Sequence, residues 1–137
     1  MLKQLSMYVE NKKGIMKQIT SILKEEKINI LGSVNNNDGA EYGIVRMVVS
    51  EPERAFEALK GAGYLCSLID VMGIEMPDEV GSLNRLLGAL SDSNINVDYI
   101  YLSFNRDTSK PILIMHAADE DIYEVESCMK AKGFTAV

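Results

Sequence analysis

Apolar and polar residues alternate at the start of the chain, with Leu5, Met7 and Val9 on one side and Ser6, Tyr8 and Glu10 on the other. A period of two predicts a strand with one buried face. Asn11-Lys12-Lys13-Gly14 breaks the alternation, and Ile15, Met16, Ile19, Ile22 and Leu23 then recur at helical spacing, opposite Lys17, Gln18, Lys24 and Glu25. A second strand is expected over Ile28 to Asn35, a tight turn at Asn37-Asp38-Gly39 and a third strand over Gly43 to Val49. Pro52 suits the first turn of a second helix with apolar positions Ala55, Phe56, Leu59 and Ala62. Gly63 ends that helix, and Tyr64 to Ile69 reads as a fourth strand.

The same pattern then recurs. Ile28-Asn29-Ile30 matches Ile95-Asn96-Val97 at an offset of 67, which also superimposes Gly14 on Gly81, Met16 on Leu83, Ile19 on Leu86 and Leu23 on Leu90. Toward the end the offset becomes 70, pairing Ala55 with Val125, Leu59 with Met129 and Gly63 with Gly133. Three residues have been added in the second copy, and the loop Asn105–Pro111 is where they are expected. The second copy reads as a strand over Val71–Met76, a helix carrying Leu83, Leu86, Leu87 and Leu90, and strands over Ile95–Phe104 and Ile112–Ala117. A helix with Ile122, Val125, Cys128 and Met129 and a stub at Phe134–Val137 complete it. Strand, helix, strand, strand, helix, strand is the ferredoxin-like plan. The fold class is therefore α+β: two tandem ferredoxin-like βαββαβ domains, residues 1–70 and 71–137, with antiparallel sheets packed against helices.

Composition narrows the function. Of 137 residues, 47% are hydrophobic and 25% charged, the balance of a globular chain. The net charge is −6, all of it in residues 71–137, which hold eleven acidic and five basic side chains. That balance speaks against a nucleic-acid binder, which needs a concentrated basic face. The sequence contains no run of about 20 apolar residues to span a membrane, and the amino terminus lacks the apolar block of a signal peptide. A cytoplasmic location is expected. Two cysteines and one histidine make no metal-ligand set, and neither a cofactor motif nor a nucleophile–base pair is readable, so no enzyme is expected. Cys66 and Cys128 read as small core hydrophobes, His116 as a structural strand residue, and Asp119-Glu120-Asp121 as favourable charge at a helix start.

Gly14 and Gly81 are where ligand chemistry has an opening. Each follows a strand and opens a helix, whose N-terminus offers unpaired backbone N–H groups and the positive end of the dipole. Such a terminus suits a small carboxylate. Three residues earlier stand Asn11 and Asp78, which serve either as helix N-caps or as ligand contacts; an ionised Asp78 suits an ammonium group. The bland alternative for the glycines is a bend that needs positive φ and holds nothing. Asn29 and Asn96 are explained most simply as local pins at a strand entry.

This repeated pattern resembles the ACT domain family. The carrying segments are Asn11-Lys12-Lys13-Gly14-Ile15-Met16 and Asp78-Glu79-Val80-Gly81-Ser82-Leu83, with the strand entries at Asn29 and Asn96. Both loops lack the proline usual in the family, and Ser82 stands where an aliphatic residue is usual. The resemblance implies a non-catalytic regulatory module that binds a free amino acid at domain interfaces and signals its level to a separate enzyme or pathway. It implies ligand-facing residues at Asn11, Lys12, Lys13, Gly14, Ile15 and Met16, and at Asp78, Glu79, Val80, Gly81, Ser82 and Leu83. Asn29, Ile30, Leu31, Asn96, Val97 and Asp98 join them from the strands. Because the first loop carries Lys12 and Lys13 and the second Asp78 and Glu79, the two copies are expected to be unequal sites. A homodimer is expected from the exposed sheet edges. The alternative reading is an assembly subunit that uses these sheets for protein–protein contact without an amino acid.

Overall fold

The computed structural model describes residues 1–36, 39 and 41–137. In chain order the elements are β1 (Leu2–Glu10), α1 (Ile15–Glu25), β2 (Ile30–Asn36), β3 (Tyr42–Val49), α2 (Pro52–Gly61), β4 (Leu65–Glu75), α3 (Ser82–Ser91), β5 (Tyr99–Phe104), β6 (Pro111–His116) and α4 (Ile122–Ala131). Asn37 and Asp38 of the expected turn lie outside the described residues; Gly39 takes φ +75°.

The chain divides into two compact units, Lys3–Ile69 and Asp70–Val137 with Met1–Leu2. In the first, the strands run in the order β2-β3-β1-β4. β1 pairs antiparallel with β3, Met7 opposite Val45, and β3 pairs antiparallel with β2, Ser33 opposite Met47. In the second, the order is β4-β6-β5, with Ile74 opposite Leu113 and Leu102 also opposite Leu113 across antiparallel ladders. An antiparallel bridge from Ile74 to Ala136 stands where the plan has a fourth strand, flanked by Glu75 N–H to Thr135 O and Val137 N–H to Gly73 O, both 2.9 Å. Each unit is thus βαββαβ, with α1 beside α2 and α3 beside α4.

The two cores correspond position by position. Leu5, Met7, Val9, Ile19 and Leu23 are buried in the first, and Met72, Ile74, Met76, Leu86 and Leu90 in the second. Val45, Met47 and Val49 match Leu113, Met115 and Ala117; Ala55 and Leu59 match Val125 and Met129. Alternate strand residues and one stripe of each helix supply them all, as periods of two and 3.6 require. At the position of buried Ile15 the second unit buries Ser82. Cys66 packs against the first core, where burial pushes its thiol pKa up.

Three boundaries differ from the expectation. The two strands expected over Tyr64–Ile69 and Val71–Met76 are parts of one strand of eleven residues, Leu65–Glu75, because nothing near Asp70-Val71 breaks an extended backbone. β5 starts at Tyr99 and not at Ile95: Asn94 leaves α3 with φ +56°, as Lys27 leaves α1 with φ +57°, and residues 95–98 are spent returning to the sheet. The three added residues are not all in the loop Asn105–Pro111. Ser33 and Ile100 pair with Met47 and Met115, so the offset grows from 67 to 68 between β5 and β6, and the other two residues lie between β6 and α4.

Candidate functional site

Each glycine corner is built the same way. In the first unit β1 ends at Glu10, Asn11 N–H donates to Glu41 O at 2.8 Å, and Gly14 occupies the cap position of α1 with φ +85°. In the second, Met76 N–H donates to Pro111 O at 3.1 Å and Gly81 caps α3 with φ +88°. The helices begin with Gln18 N–H on Gly14 O at 3.0 Å and Arg85 N–H on Gly81 O at 2.9 Å. The cap positions belong to the glycines themselves, so Asn11 and Asp78, three residues earlier, stand outside them. The glycines answer to backbone conformation: a Cβ at either would meet nothing within 4 Å. Gly81→Ala is therefore expected to lower stability by about 1–2 kcal/mol through the left-handed penalty alone. Urea denaturation checks this, and Gly14→Ala should behave alike.

Beside each corner lies a cleft. The first holds about 470 Å³ between Tyr8, Glu10, Lys12, Ile15, Gln18, Tyr42, Gly63, Tyr64 and Leu65. The second holds about 500 Å³ between Glu75, Met76, Pro77, Asp78, Arg85, Lys110, Pro111, Gly133, Phe134 and Thr135. These walls are the same places in the repeat: Glu75 matches Tyr8, Arg85 matches Gln18, and Gly133-Phe134-Thr135 match Gly63-Tyr64-Leu65. Both volumes fall in the range of small-molecule sites.

Their chemistry differs. In the first cleft Lys12 is tied to Glu10 at 3.4 Å, and Tyr64 O–H donates to Gln18 Oε1 at 3.2 Å. In the second, the Arg85 guanidinium meets Glu79 at 3.1 Å at an exposed position. Glu75 has a side chain only 12% exposed. It accepts from Asn105 Nδ2 at 2.6 Å and Thr108 Oγ1 at 3.1 Å, which fastens the loop before β6 to the cleft wall. Met76, Pro77, Pro111 and Phe134 give this cleft an apolar lining, beside the cations Arg85 and Lys110 and the Asp78 carboxylate. Among the described residues, no group of three or more His, Cys, Asp or Glu stands together as a metal site.

Of the site residues expected from the sequence, Lys12 and Ile15 line the first cleft and Asp78 the second. Gly14 and Gly81 shape the corners. Lys13 and Val80 are exposed, Met16 packs on the core, Ser82 is buried, Leu83 is 38% exposed, and Glu79 faces Arg85. Asn29 and Ile30 lie at the far end of α1, about 16 Å away for eleven residues, beside another hollow with Lys24 and Lys27. Leu31 is half-buried in β2, Val97 packs on the second core, and Asp98 meets His116 Nδ1 at 2.8 Å. Among the residues not anticipated are Gln18 and Arg85, one turn into each helix, and the segments after α2 and α4; the ends of β1 and β4 and the starts of β3 and β6 add further walls. The first pair follows from i+4 spacing after the glycine; the second has no local signal.

The family model of the ACT domain pair matches residues 1–131. The chain belongs to this family. No curated protein sequence matches the pair. Among solved structures, a protein from Bacteroides thetaiotaomicron is 29% identical, with 99% of this chain and 91% of that one covered and a TM-score of 0.86. The regulatory subunit of aspartate kinase from Thermus thermophilus, in a ligand-free form, is 15% identical over 94% of this ACT pair and 90% of that chain, with a TM-score of 0.67. The same subunit from Thermus flavus is 16% identical over 94% and 90%, with a TM-score of 0.65. The Thermus likenesses are in fold: two ACT domains in tandem. No helix among the described residues of this pair is long and apolar enough to cross a membrane.

Proposed function

We propose that this ACT domain pair is a non-catalytic regulatory protein that binds a free amino acid and reports its level to a separate enzyme, acting as a homodimer in the cytoplasm. The carrying observation is the second cleft, which brings together Arg85 of α3, Asp78 and an apolar lining. A guanidinium suits a carboxylate, Asp78 suits the ammonium group, and the lining suits an apolar side chain. The likeness to regulatory subunits of aspartate kinase supports a role in control. Asn11 to Met16 frame the equivalent first site, which has no guanidinium, so the two copies are unequal and the second binds more tightly. A ligand that prefers one arrangement of the protein shifts its population, which is what control of a partner requires.

Thermal denaturation with each common amino acid at millimolar concentration tests this reading. A ligand at a hundred times its Kd adds about 2.7 kcal/mol, a rise in Tm of about 10 °C for a chain of this size. A rise with one or a few amino acids is the expected result. No rise with any leaves the assembly subunit as the better reading.

A further inference from the structure

The first cleft carries a surface that the second lacks. Three of the chain's six tyrosines, Tyr8, Tyr42 and Tyr64, line it. Tyr8 and Glu10 lie two residues apart on β1, and Glu10 stands directly opposite Tyr42 of β3. These three side chains therefore share one face of the ladder, with opposed Cβ atoms about 5 Å apart and diagonal neighbours about 7–8 Å apart. Tyr64 closes the cleft from the turn after α2. Its ring packs on the first core, and its O–H donates to Gln18 Oε1 at 3.2 Å. Tyr8 and Tyr42 are each 58% exposed, so most of both rings is open to a ligand.

The repeat provides an internal control. At the places of Tyr8, Tyr42 and Tyr64 the second unit has Glu75, Lys110 and Phe134, and there Lys110 approaches Glu75 to 3.9 Å. An ion pair in one copy is replaced by two open rings in the other, on backbone positions that the fold keeps alike. The faces of such rings are electron-rich and attract a cation within about 6 Å of the centroid. Glu10 supplies a carboxylate beside them. Its partner Lys12, at 3.4 Å, is exposed along with it, and a pair of that kind is weak enough for a competing cation to displace. We propose that the first cleft binds an organic cation with an alkylated ammonium head, seated against Tyr8, Tyr42 and Tyr64 with Glu10 as its counter-charge. An alkylated head suits these walls better than a bare one, because ring faces cannot replace the water that hydrogen-bonds an N–H group. A ligand carboxylate has no guanidinium to meet there: Gln18 stands at the place of Arg85, and its Oε1 accepts from Tyr64. The assignment goes beyond the amino-acid reading of the second cleft and does not rest on it.

Choline is the probe, followed through the tyrosine ring signals by proton NMR; the uncharged alcohol in which carbon replaces its nitrogen is the control. Choline at millimolar concentration is expected to shift the rings of Tyr8, Tyr42 and Tyr64 and to leave that of Tyr123 in place. The alcohol should bind about tenfold more weakly, the loss of the cation's attraction to two or three rings and a carboxylate. Replacing Tyr8 and Tyr42 together by Leu keeps apolar bulk and removes the rings, and should weaken choline about tenfold. Replacing both by Phe should leave the affinity near wild type, and Lys12→Met should raise it. Both tyrosines are exposed, so these chains are expected to keep the wild-type circular dichroism. No ring shift with choline at tens of millimolar, equal affinity for the alcohol, or wild-type affinity in the double Leu chain overturns the proposal.

Discussion

Replacing Leu86 with alanine is expected to destabilise the second unit by about 2–5 kcal/mol, the range for a truncated leucine in a packed core. Leu86 is fully buried in the cluster that also holds Ile74, Leu113 and Met115. α3 has ten residues, no side-chain cap and no acidic residue in its first turn, so its stability comes from packing rather than from local signals. A unit of about 70 residues has total stability of about 3–10 kcal/mol. Loss of one side chain therefore removes a large share of it. Ile19→Ala, at the matching place in the first unit, should cost a similar amount. Leu87→Ala, next to Leu86 but 38% exposed, should cost less than about 1 kcal/mol. Urea denaturation followed by circular dichroism distinguishes them, and equal effects at Leu86 and Leu87 would contradict the assigned core.

Arg85→Ala is expected to weaken amino-acid binding about tenfold to a hundredfold, the loss of one charge-assisted contact worth about 1.5–3 kcal/mol. Stability should hardly change, because the Arg85–Glu79 pair is exposed on both sides and such pairs are worth at most about 1 kcal/mol. Glu79 competes with the ligand for the same guanidinium, so Glu79→Gln should bind severalfold more tightly. Arg85→Lys should recover only part of the affinity, since an ammonium cannot make the two parallel bonds of a guanidinium to a carboxylate. Calorimetric affinities for the four chains decide the matter; an Arg85→Ala chain with wild-type affinity would place the ligand elsewhere.

Much of the fold was legible because each repeat obeys its own periodicity. Leu5, Met7 and Val9 alternate, Ile19 and Leu23 lie one helical turn apart, and the offset of 67 carries these positions onto Met72, Ile74, Met76, Leu86 and Leu90. What failed was continuity. A strand passing from one unit into the next at Ile69-Asp70 looks in sequence like two strands, since burial changes along it while the backbone does not. The visibly longer loop likewise draws all the added residues to itself in sequence, when only the pairing of Met115 with Ile100 separates the loop before β6 from the one after it. The site divides the same way. Gly14 and Gly81 announce themselves by composition and helix position, and both have the positive φ that such a bend needs. Arg85 was within reach by spacing. Gly133, Phe134 and Thr135 come to line the cleft that Asp78 also lines through the return of the chain after α4, which no local pattern records.

Titration calorimetry of the wild-type chain with the amino acid that raises its Tm tests the central claim most directly. One tight site per chain, lost in Arg85→Ala and kept in Tyr42→Ala, is the result predicted for a sensor whose second cleft holds the ligand. Two sites of equal affinity, or no heat from any of the common amino acids, would contradict it.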